Sequence, residues 1–186
     1  MQNFKTKILT ESSIALALAT ILSQIKLLQM PQGGSVSLEM LPIIFIALRW
    51  GVKSGILLGS AFGFLQFFIG GYIVHWAQLV LDYPLAFGVL GLAGLARFFI
   101  KEKDLTERMT YVIVFTIFAG LLRFLAHFIS GVVFFAEYAG EEGVILYSLI
   151  YNATYLMPEI IITAIAIFLL IKGLDNTLLL ETKRGA

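Results

Sequence analysis

The sequence predicts an all-α, polytopic membrane bundle: six transmembrane helices in one domain over residues 1–186, with both termini cytoplasmic. Three observations carry this prediction. Apolar residues make up 59% of the chain and charged residues 13%, against roughly 45–50% and 25% in soluble domains. Mean hydropathy is +0.92, which excludes a disordered chain and leaves too few charges to coat a water-soluble globule. Second, six apolar segments, most near the roughly 20 residues that a spanning helix needs, use nearly the whole length. Third, Lys and Arg collect on one side of those segments, as cytoplasmic loops require. The net charge of +1 offers no basic field for nucleic acid. The absence of cysteine excludes disulfides, thiolate-bound metal and thiol catalysis.

The first helix is expected over about 8–25. Lys5 and Lys7 precede it as in a signal peptide, but no small-x-small cleavage site follows, so it is expected to be retained. A short second helix covers about 36–48, and the others cover about 51–69, 73–100, 109–135 and 144–171. With the N-terminus inside, the inner stretches hold Lys5, Lys7, Arg49, Lys53, Arg97, Lys101, Lys103, Arg108, Lys172, Lys183 and Arg184, eleven of the thirteen basic residues. The outer loops at 30–35, 70–76 and 137–143 hold none. Two outer stretches, QMPQGGSV (29–36) and FAEYAGEEG (135–143), read either as lids or as plain connectors.

Gly51, Gly55, Gly59 and Gly63 recur every four residues and put a small face on the third helix, where backbones approach closely. Gly88, Gly91 and Gly94 repeat the device on the fourth. Ala15, Ala19 and Ser23 form a third such face, which packs either internally or on a partner.

An ionisable group in hydrocarbon costs at least about 2.5–3.5 kcal/mol on insertion scales, so each is a functional candidate. These are Glu39, Asp82, Arg123, His127 and Glu159, with Tyr83 and Asn152 beside them. Arg123, His127, Gly131 and Phe135 share one face of the fifth helix, and Gly131 is expected to leave room for a ligand. Asn152, Tyr155 and Glu159 share a face of the sixth. Glu159 reads as a partner of Arg123 or as a cap beside Pro158; an Arg–Asp pair with a satisfied histidine is the structural alternative. By depth, Asp82, Tyr83, His127, Phe135, Tyr147 and Asn152 belong to the outer half and converge on one pocket. Carboxylate, amide, imidazole and aromatic faces together suit a flat, nitrogen-rich cation. Glu137, Glu141 and Glu142 add negative potential at its mouth, or simply form a solvated turn. No Walker A loop, HExxH pair or GxSxG elbow is present, and two histidines do not suggest a metal site.

Four stretches resemble a known family: LEMLPIIFIALRWG (38–51), LDYPLAFGVLGLAGL (81–95), RFLAHFISGVVFF (123–135) and YSLIYNATY (147–155). The chain resembles the substrate-binding (S) components of energy-coupling-factor vitamin importers, most closely the thiamine-specific ones. That resemblance implies thiamine capture from outside, with thiamine as transported ligand and no cofactor. It also implies docking on a transmembrane coupling protein bearing two ATPase subunits, in the lipid bilayer of a prokaryotic cell. It carries substrate contacts to Asp82, Tyr83, Arg123, His127, Gly131, Phe135, Tyr147 and Asn152, adds Glu39 from the first-loop region, and assigns partner docking to Ala15 and Ala19. His127 and Phe135 would sandwich the pyrimidine, and residues 31–35 would form a lid. The chain departs from the pattern at Phe135, where Trp is expected, and at Asp82, where Glu is expected. Rival readings are another vitamin (riboflavin or a pyrimidine precursor), an intramembrane acid–base enzyme using Asp82, His127 and Glu159, and, last, a channel.

Overall fold

The computed structural model describes residues 2–101 and 103–173, and for Gln2, Asn3 and Glu142 the backbone alone. Lys183 and Arg184, expected on the inner face, lie outside the described residues. Six main helices follow in order: α1 Gln2–Gln24, α2 Met40–Trp50, α3 Val52–Gly70, α4 Trp76–Phe98, α5 Leu105–Phe134 and α6 Val144–Gly173. Five are long and apolar enough to cross a membrane.

The exception is α2. Its 11 residues rise only about 16 Å, half of a hydrocarbon core about 30 Å thick. It starts four residues later than the sequence suggests. The chain between α1 and α2 instead forms a hairpin, β1 (Leu28–Gln29) antiparallel to β2 (Ser35–Val36). Gly33 and Gly34, at φ +94° and +87°, make its turn, a conformation that side chains with a Cβ resist. Eight α2 residues are buried, among them Met40, Ile43, Ile44 and Leu48. A helix that is apolar all round belongs inside, and α2 is the centre of the main core, with Phe62, Phe87, Leu90, Ala119 and Ile167 around it.

The glycine stripes pack the bundle as expected, with one adjustment. Gly51 is not in α3; at φ +92° it is the hinge between α2 and α3. A Cβ on Gly55 would lie 2.7 Å from Gly91 Cα, and one on Gly59 would strike the Phe87 carbonyl. Gly94 sits equally close to the Ala47 carbonyl and Val52 N. Backbones of α2, α3 and α4 therefore touch.

The Ala15–Ala19 face lies close against the bundle. Ala19 is fully buried and Ala15 is 7% exposed, both within the main core. Those methyls pack against the chain's own helices, the internal one of the two readings of this face. On α1 the exposed side chains are Leu9, Ile14, Leu18 and Ile21.

The helix α4 changes geometry along its length. It opens as α-helix, widens to a π-turn at Leu81–Leu85 around Pro84, and tightens to a 3-10 helix over Val89–Phe98. Pro84 has no N–H to give the ladder. π-Turns of this kind are frequent at functional sites, and this one carries Asp82 and Tyr83.

Candidate functional site

One end of the bundle holds a cavity of about 180 Å³. Its wall includes every predicted contact residue: Glu39, Asp82, Tyr83, Arg123, His127, Gly131, Phe135, Tyr147 and Asn152. Residues from the hairpin and the 71–75 segment complete it, including Gly34 and Tyr72. The opposite end of the bundle carries Arg49, which pairs with Glu11, and Arg97, which donates to the Leu48 carbonyl at 3.1 Å.

The floor is a buried charge cluster. Arg123 donates to Glu159 Oε2 at 3.0 Å and to Glu39 Oε1 at 2.9 Å, and its guanidinium lies 4.2 Å from the Phe87 ring centroid. Glu159 itself accepts from Ser37 Oγ at 3.2 Å and is fully buried. Of the two readings of Arg123, the pair with Asp82 is not formed; two glutamates take its place. Glu39 sits at the N-cap position of α2, where the helix dipole favours an anion.

One turn above, Asp82 faces His127, with Oδ1 and Nδ1 3.0 Å apart. Its Oδ2 accepts from Gln78 Nε2 at 2.7 Å and from Ser130 Oγ at 2.9 Å. Asn152 is held as firmly: its Nδ2 donates to the Ser148 carbonyl at 2.9 Å and the His127 carbonyl at 3.3 Å, and Tyr155 donates to its Oδ1 at 2.9 Å. What Asn152 leaves for a ligand is one acceptor lone pair on Oδ1.

Gly131 borders the cavity and also serves helix packing. A Cβ there would collide with Ser148 Oγ. Its missing side chain lets α6 close on α5, and only the remaining surface borders the cavity. Aromatic rings form the upper wall. Phe135 is 6.1 Å from both Tyr72 and Tyr138, centroid to centroid. The Tyr72 and Tyr138 hydroxyls share a 2.8 Å hydrogen bond, which pushes the exposed Tyr138 phenol up to about 12. Tyr151 donates to the Gly33 carbonyl at 2.9 Å and accepts from Gln32 N at 3.0 Å, while Gly34 rests on the Tyr155 ring. The hairpin is thereby fastened over the cavity. Glu137 and Glu141 do not line it.

Sequence reasoning missed Gln78, Ser130, Ser148 and Tyr72; Tyr151 stands out in sequence only as part of a Tyr147–Tyr151–Tyr155 stripe that also reads as an aromatic belt. Ser130 lies on the face next to His127, and Gln78 is one turn before Asp82, so proximity to named residues was the available signal.

The chain matches the family described as Thiamine transporter protein (Thia_YuaJ) over residues 9–179. It is 42% identical over 170 residues to the thiamine transporter ThiT of Bacillus subtilis (strain 168), covering 87% of this chain and 88% of that one. A ThiT from Lacticaseibacillus paracasei is 27% identical over 179 residues, covering 91% and 89%. The solved structure of ThiT from Listeria monocytogenes superposes with a TM-score of 0.82 at 29% identity, covering 94% of this chain and 98% of that one. With five helices of spanning length, this kinship makes the chain a multi-pass protein of the prokaryotic cell membrane, and a transporter, not an enzyme. By sequence and by fold it belongs to the thiamine transporter protein (Thia_YuaJ) family.

Proposed function

We propose that this protein captures thiamine in the hairpin-covered cavity, from the extracellular side. In this reading it is the S component of an energy-coupling-factor importer. The observation that carries it is Asp82, a carboxylate 14% exposed at the cavity wall, held by three donors among aromatic rings. With Glu39 and Glu159, three carboxylates face Arg123 and His127. That balance favours a cation. His127 and Phe135 flank the aminopyrimidine, Asn152 Oδ1 accepts from its amino group, and Tyr83 and Tyr147 line the thiazolium. Arg123 is 3% exposed and committed to two carboxylates, so it anchors the floor and does not reach the ligand. Basic residues at the end away from the cavity support an outward-facing mouth. The chain has no ATP-binding loop, so uphill uptake needs a coupling protein with two ATPase subunits. Titration of purified protein with thiamine, followed by intrinsic fluorescence, tests the reading: saturable quenching below micromolar ligand is expected, and none at that concentration overturns it. Copurification from the native membrane tests the coupling partners.

A further inference from the structure

The contacts around Asp82 carry a role for two residues outside the ligand-contact set. A carboxylate has about four lone-pair sites. Gln78 and Ser130 both donate to Oδ2, and His127 meets Oδ1. Oδ2 is thereby filled by the protein, and the one open lone pair belongs to Oδ1.

Gln78 is 1% exposed, and each of its amide atoms has a fixed duty. Oε1 accepts from Val74 N at 3.2 Å; Nε2 donates both to the Tyr72 carbonyl at 3.0 Å and to Asp82. A flipped amide would set its oxygen against two acceptors and its NH2 against a backbone N–H, so only one orientation is satisfied. Glutamate has the same shape and lacks the two donors.

Ser130 is 1% exposed. Several hydroxyls in these helices turn back to the carbonyl four residues earlier, as Thr20, Thr110 and Thr154 do, while Ser60 and Ser148 reach a backbone carbonyl on another helix. Ser130 instead donates across to α4. A buried serine that leaves its own helix for a carboxylate fixes that carboxylate.

We propose that Gln78 and Ser130 are positioning residues: they clamp Oδ2 of Asp82, so that the carboxylate presents only Oδ1 to the ligand and to His127. The same Gln78 amide ties the 72–74 segment to Asp82, so the Tyr72 wall and the acidic contact are set together. This deepens the thiamine reading and rests on it.

The test compares Gln78→Glu, Ser130→Ala and Asp82→Asn by thiamine titration, followed to millimolar ligand, with melting temperatures alongside. A site that needs only negative charge near a cation binds tighter when Gln78→Glu adds one. The clamp predicts the reverse, a loss on the order of tenfold or more, because a carboxylate then opposes Oδ2. Among the described residues the Ser130 hydroxyl bonds Asp82 alone, so Ser130→Ala serves if Gln78→Glu does not fold. It is expected to weaken binding several-fold with a small drop in melting temperature, and to change binding less than twofold in an Asp82→Asn background. Affinities of Ser130→Ala and Gln78→Glu within twofold of wild type overturn the clamp, as does a Ser130→Ala loss of equal size in both backgrounds. Wild-type protein that binds no thiamine overturns the function itself, a separate result.

Discussion

Replacing Arg123 by Met removes the only guanidinium between two buried carboxylates. The wild-type cluster holds one guanidinium and two carboxyl groups, with bonds of 3.0 and 2.9 Å and Phe87 against the guanidinium face. Arg123→Met leaves Glu39 and Glu159 with no countercharge, at 6% and 0% exposure. Breaking a buried pair in this way costs about 3–5 kcal/mol. Glu159→Gln is a milder change: it leaves a one-to-one pair of Arg123 with Glu39, and loses one charge-assisted bond, about 1.5–3 kcal/mol. The double variant Arg123→Met/Glu159→Gln has one stranded carboxylate in place of two, so it is expected to be more stable than Arg123→Met alone. Thermal denaturation of detergent-purified protein, read by size-exclusion chromatography, gives the ranking. Equal melting temperatures for Arg123→Met and Glu159→Gln, or a double variant below both, would refute the charge-balance reasoning.

Gly59→Ala drives a methyl into the Phe87 carbonyl and should cost about 1–3 kcal/mol. Gly70→Ala, with nothing within 4 Å, should melt like wild type. Tyr151→Phe removes both bonds to the 32–33 turn, at about 1 kcal/mol each, and should speed thiamine release roughly tenfold in a stopped-flow chase. The orientation is directly measurable because the chain has no native cysteine. An impermeant maleimide should label Glu137→Cys in intact cells and Lys103→Cys only after permeabilisation. Lys103 bonds exposed Glu107 at 2.9 Å, which raises its ammonium above the ordinary lysine range. Such a solvent-screened pair contributes little, so Glu107→Gln should leave the melting temperature unchanged at physiological salt.

The intramembrane charges made the cavity legible, because hydrocarbon admits such groups only where partners or ligands await them. Asp82, Arg123 and His127 announced themselves in that way. Who pairs with whom did not, since Asp82 and Glu159 are equally plausible partners of Arg123 along the chain. The π-turn at Leu81–Leu85 helps decide it, and helical periodicity does not reveal such a turn. Strands of two residues are too short to show alternation, so periodicity marks neither the hairpin at 28–36 nor the late start of α2. The Ala15–Ala19 stripe marks a close helix contact, and spacing alone does not say which neighbours share it. Gly131 shows the same ambiguity: an absent side chain makes room, and sequence does not say for whom. Asp104, which accepts from Glu107 N at 2.8 Å, starts α5 at a cap that hydropathy alone passes over.

The shortness of α2 bears on the energetics of passage. Glu39, at its upper end, borders the cavity; Arg49 and Trp50, at its lower end, meet Glu11 beside the basic end of the bundle. Below the charge cluster, α2 contributes an 11-residue rod, about 16 Å of protein, set among side chains of α3, α4, α5 and α6. Entry alone would already have carried the ligand through roughly half of the hydrocarbon thickness. Among the main helices of the described residues α2 has the largest buried share, eight of its 11 residues.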